Sequence, residues 1–107
     1  MDYETVFKLI EEGEALLESN SVGSNSDVVR QLQAISNALI VASDRNGVID
    51  QKCSSMMDFA AIAYASRKRQ GYSREEAHHC ALADFGGMRI HIRQLQNAGS
   101  RSSRRSK

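Results

Sequence analysis

Proline and tryptophan are absent from the chain, cysteine occurs twice, and three tyrosines and three phenylalanines supply all the aromatic rings. The missing proline removes the strongest helix breaker. With Ala, Leu, Ile, Glu, Gln and Arg frequent, that composition predicts a helical chain. Two cysteines, Cys53 and Cys80, are too few for a disulfide framework, which points to a reducing, cytoplasmic setting. Apolar runs are short and interrupted, well under the ~20 residues that a membrane-spanning helix needs. Met1 is followed by the acidic Asp2 and Glu4, the wrong start for a secretory signal. A length of 107 residues supports one modest core and therefore one domain.

The net charge of +1 conceals a division. Residues 1–50 carry three bases against nine acids, and residues 51–107 carry eleven bases against four acids. Such a split points either to an anionic partner for the basic half or to two halves that face each other, within one fold or across a dimer.

Residues 2–19 have helical spacing: Tyr3, Val6, Phe7, Ile10, Gly13, Leu16 and Leu17 share one side, and Glu4, Glu11 and Glu18 form an acidic stripe on the other. The stripe reads as a solvated face. The polar SNSVGSNS that follows is a loop. Ser26 or Asp27 then caps a second helix over 27–43, whose apolar seam is Val28, Leu32, Ile35, Leu39 and Ala42. Asn46-Gly47 reads as the left-handed stop of that helix, and Asp50 as the cap of a third over 51–69. A calcium loop with Gly47 at its glycine fails, because Ala42 and Cys53 would stand where oxygen donors belong. The third helix is apolar around most of its girth, so Met56, Phe59, Ile62 and Ala63 are the candidate face of a homodimer. Arg67, Lys68 and Arg69 end it as last-turn cations, followed by Gly71.

The clearest boundary is Ser73-Arg74-Glu75-Glu76, a capping box, with Tyr72 placed to staple onto Ala77 or a nearby apolar residue. Beyond it Ala77, Ala81, Phe85, Met88, Ile92 and Leu95 make one seam through Gly86-Gly87, which predicts a single helix over 74–97. A break at the glycine pair would instead give a helix-turn-helix, with Arg89, Arg93, Gln94 and Asn97 facing base edges. That pattern is only half met. With Gly86 as the turn glycine, Ile92 suits the buried position but Leu82 stands where a small residue belongs; with Gly87, Arg93 would have to be buried.

No side-chain chemistry emerges. His78, His79 and Cys80 are adjacent on a helix and point about 100° apart, so they cannot converge on one zinc ion. The same adjacency is not the geometry of a nucleophile and its base. No glycine run matches a phosphate-binding loop. Neither a cofactor nor a metal is implied, and Cys53, Cys80 and the histidines read as packing and surface residues.

The expectation is an all-α protein: a compact bundle of four or five helices over 1–97, followed by a disordered basic tail over 98–107. For function, the leading reading is a small non-enzymatic adaptor or inhibitor that binds another protein and modulates it. The alternative is a nucleic-acid-binding regulator that uses the basic half. Its phosphate contacts would be Arg67, Lys68, Arg69, Arg89, Arg93 and the tail residues Arg101, Arg104 and Arg105.

Overall fold

Each helix starts where a polar side chain satisfies the free amides of its first turn. The computed structural model describes the backbone from Met1 to Arg105 and the side chains from Met1 to Gly99. Helix α1, Tyr3–Glu18, is capped by Asp2, which accepts from the Thr5 amide at 3.2 Å and the Thr5 hydroxyl at 2.6 Å. Helix α2, Ser26–Ala42, is capped by Asn25 through the Val28 amide. Helix α3, Gly47–Tyr64, is capped by Asn46, whose Oδ1 accepts from Val48 at 3.0 Å and Ile49 at 3.1 Å. Helix α4, Arg74–Arg105, begins with the expected reciprocal box: the Glu76 amide donates to Ser73 Oγ at 3.1 Å, and that hydroxyl donates to Glu76 Oε1 at 3.3 Å.

The second and third helices differ from expectation at their junction. Asn46 starts α3 instead of ending α2, and the left-handed residues of the turn are Asp44 and Arg45, at φ 55° and 58°. This strained turn is tied down by the Arg45 amide donating to Ile40 O at 2.8 Å and by the N-terminal ammonium paired with Asp44 at 2.6 Å. Helix α3 also ends five residues short of Arg69, for a non-local reason. The Ala63 and Tyr64 carbonyls would accept from residues 67 and 68 in a continuing helix. They accept instead from the amides of Gly23 at 3.0 Å and Asn25 at 2.8 Å, in the loop between α1 and α2.

The four helices form a ring in which each packs on its sequence neighbour and α1 closes onto α4, and among the described residues the backbones of diagonal helices stay apart. Among the described residues there is no strand. The interior is built from the predicted seams: Val6, Ile10 and Leu17 of α1, Val28, Leu32 and Leu39 of α2, and Ala77, Ala81, Phe85, Met88 and Ile92 of α4 are all buried. The face of α3 assigned to a dimer is spent in the same way. Met56 and Ala63 are 0% exposed and Ile62 is 4% exposed, so only the half-buried Phe59 keeps any surface. Neighbours on two sides and a loop folded over its end cover most of the apolar girth of this helix.

Helix α4 passes through Gly86-Gly87 unbroken. Two interior glycines cost about 1 kcal/mol each. Burial of Phe85, Met88 and Ile92, at about 1.5–3 kcal/mol per side chain, outweighs that cost. The helix-turn-helix alternative is therefore overturned. At 32 residues α4 is about twice as long as the others. Among the described residues Leu95 is the last side chain of α4 packed on the core, and the helical backbone runs on to Arg105, beyond the end expected near Asn97. The overhang explains extents of 54 × 25 × 21 Å and a radius of gyration of 15.1 Å, against about 13 Å for a compact chain of this size.

Candidate functional site: a cationic cleft between the third and fourth helices

Because the loop amides cut α3 short, Arg67, Lys68 and Arg69 fall in the exposed connection to α4 and not in a last helical turn. The connection folds back at Gly71, whose φ of +88° is open to glycine. The Tyr72 amide closes that turn on Arg69 O at 3.1 Å. Tyr72 then packs on Phe59 of α3, with ring centroids 5.2 Å apart and tilted by 51°.

Four cations surround this aromatic pair. Arg69 lies over the Tyr72 ring at 5.3 Å. Arg67 Nη1 donates to Asp58 Oδ1 at 2.7 Å, and Arg74 Nη1 donates to Ala63 O at 3.0 Å, so Arg74 helps cap α3. Lys68 is exposed and makes no ion pair among the described residues. Together with Ile62, Ala65 and Gln70 they line an open cleft of about 500 Å³. Arg69 also lines a second concavity of about 480 Å³, together with Asp50 and Asp58. A cationic cleft and an acidic groove thus adjoin across the Phe59–Tyr72 ridge. The Arg67–Asp58 pair is more than half exposed on both sides, so it contributes under about 1 kcal/mol, and a carboxylate from outside can take its place.

The remaining candidate cations are elsewhere or occupied. Arg89 is held by both of its terminal nitrogens on the Glu14 carboxylate, which also raises its already high pKa. Arg93 lies over the Phe7 ring at 5.2 Å, and Gln94 and Asn97 are exposed. Arg74 and Arg93 stand nineteen residues apart on one helix, roughly 28 Å. The two basic groups therefore occupy opposite ends of the bundle and make no common surface. Arg101, Arg104 and Arg105 lie on the α4 backbone, but their side chains fall outside the described residues, as does the basic end of the tail at Lys107.

The histidine and cysteine cluster is dispersed by the helix, as adjacency requires. His78 Nδ1 lies 2.8 Å from the Tyr64 hydroxyl, which donates to Asn20 O at 3.1 Å. That hydroxyl has one proton, so His78 is the donor in their contact, in the Nδ1–H tautomer. Burial, followed by the neighbouring His79, holds the His78 pKa below the ordinary 6.5. Cys53 is buried and its thiol pKa is pushed up by that burial, whereas Cys80 is half-buried. Among the described residues no three His, Cys, Asp or Glu side chains gather as a metal would require.

One polar residue escaped the sequence reading. Asp84 is 8% exposed, with Lys52 Nζ 4.0 Å from Oδ1, and its Oδ2 is buried with no protein partner. Its desolvation pushes the carboxyl pKa up, against the opposing pull of Ser55 and Lys52. The signal was available, since residue 84 falls within the seam between Ala81 and Met88, where an acid is out of place.

No protein-family model matches the chain, and neither a curated protein nor a solved structure does.

Proposed function

We propose that this protein is a small non-enzymatic helical adaptor or inhibitor, which binds another protein through the cleft at 65–74 and modulates it. The observation that carries the reading is the composition of the cleft. Arginine and tyrosine, stacked on each other beside Ile62, supply charge, hydrogen-bond donors and apolar area at one place. These residue types dominate the energetic centres of protein interfaces.

A nucleic-acid reading rests on the density of bases at 67–69. It is disfavoured by the distance to the next basic group and by the acids beside the cleft. A phosphate backbone needs a continuous cationic track, whereas Asp50 and Asp58 border this one.

Pull-down from the native host with the wild-type chain and with an Arg67→Gln, Lys68→Gln, Arg69→Gln variant tests the proposal. A protein captured by the wild type and lost from the variant, with melting unchanged, is expected. Equal capture by both, or recovery of nucleic acid alone, would refute it. Anisotropy titration of DNA and RNA oligonucleotides across a salt series supplies the second measurement: a steep fall of log affinity with log salt marks phosphate binding.

A further inference from the structure

We infer that the cleft takes an acidic polypeptide segment in which carboxylates flank an apolar side chain. This rests on the protein-binding reading above and specifies the chemistry of the partner. Three features select that occupant. Lys68 is free of ion pairs among the described residues, and Arg67 holds only an exposed, exchangeable one, so two positive charges stand open to a carboxylate. Arg69 is pre-positioned by stacking on Tyr72, which lowers the entropy lost when it grips an oxygen. Between these cations the floor is apolar: the half-buried Ala65 and the exposed part of the Tyr72 ring, with Ile62, 4% exposed, adding little. A bare anion would leave that floor wet, and a purely apolar segment would leave the guanidinium groups without partners. A carboxylate–apolar–carboxylate sequence satisfies both. Arg74 is a wall of the site and not a free donor, because its guanidinium is committed to the Ala63 carbonyl.

The test uses the full chain and labelled synthetic peptides. One carries glutamates on either side of leucine, a second has the glutamates replaced by glutamine, and a third has the leucine replaced by serine. A single-stranded oligonucleotide is run alongside. Binding of the first peptide is expected, weakened by added salt. It should fall on the order of tenfold or more with either peptide change, and likewise with the Lys68→Gln, Arg69→Gln variant. Arg69→Lys should recover part of the affinity, since it keeps the charge and loses the planar stacking. Comparable binding of the glutamine peptide, tighter binding of the oligonucleotide, or no peptide binding at low salt would each overturn the inference. If peptides fail while a cleft-dependent protein is still captured from the host, the stated partner chemistry is wrong and the protein-binding function stands. If the acidic peptide binds while host capture is cleft-independent, the reverse holds.

Discussion

Phe85 packs against Gly13 so closely that a Cβ on that glycine would lie 2.6 and 2.9 Å from the ring atoms Cε1 and Cε2, and closer still to Cζ. Both residues are buried, so the ring has nowhere to retreat. Gly13→Ala gains about 1 kcal/mol of helix propensity, but overpacking costs about 1–3 kcal/mol. With three ring atoms in the way the cost falls at the upper end of that range and prevails, and a net loss of about 1–2 kcal/mol is expected in urea denaturation. Adding Phe85→Leu should return most of that loss, since the two positions share one contact. A Gly13→Ala protein as stable as the wild type would show that α1 and α4 can separate freely.

Gly86 gives the opposite case. A Cβ there meets nothing within 4 Å, so Gly86→Ala should stabilise the protein by about 0.5–1 kcal/mol. At Gly87 the new methyl would stand 3.1 Å from Lys52 Cε and push that side chain away from Asp84. Gly87→Ala should therefore gain less than Gly86→Ala in the same denaturation assay. The reverse order would mean that the lysine contributes nothing where it lies.

Asp84 has a raised folded-state pKa, so the folded protein holds its proton more tightly than the unfolded chain does. The stability cost of ionising it is absent below the unfolded pKa near 3.8 and complete once the pH exceeds the folded value. Asp84→Asn removes that cost, and Lys52, 40% exposed, can turn to water when its partner is neutral. A gain of about 1 kcal/mol at neutral pH is expected, shrinking as the pH approaches 4. Loss of stability at neutral pH would show that the Lys52 attraction exceeds the desolvation penalty.

His78 titrates with the opposite consequence. Its folded pKa is depressed, so its contribution is present above the unfolded value of 6.5 and lost as the pH falls through the folded value. The groups beside it are Tyr64 and His79, and neither is an acid that would offset the charge. The midpoint of thermal unfolding should decline below pH 6.5 and decline less in His78→Asn. Parallel profiles for the two proteins would remove His78 as the source.

Seam periodicity made much of this architecture legible, because it depends on residues three or four apart that see the same neighbour. The residues Ala77 through Leu95 located the packed part of α4, and the Ser73 box placed its start, whereas its backbone runs on past the expected end to Arg105. The misplaced end of α3 was set by contacts far along the chain. Nothing near Tyr64 announces that Gly23 and Asn25 will take its last carbonyls, so Arg67–Arg69 were read as a helix end when they form a loop. The cleft was legible as a charge run but not as a shape, since its aromatic wall joins Phe59 to Tyr72 across the α3 terminus. Arg89 looked free because its partner, Glu14, is 75 positions away.

That same separation bears on how the chain reaches its native state. Three of the four contacts around the ring join helices that follow one another, a topology that folds in microseconds to milliseconds. Docking α1 on α4 is the exception and must bring together residues such as Glu14 and Arg89, 75 positions apart. On this topology it is expected to form last, after the barrier has been crossed. Substitutions at Gly13 and Glu14 should then steepen the loss of the native state by raising the unfolding rate, leaving the refolding rate nearly unchanged. A chevron plot with a slowed refolding arm would put the meeting of the chain's first and last helices in the nucleus instead.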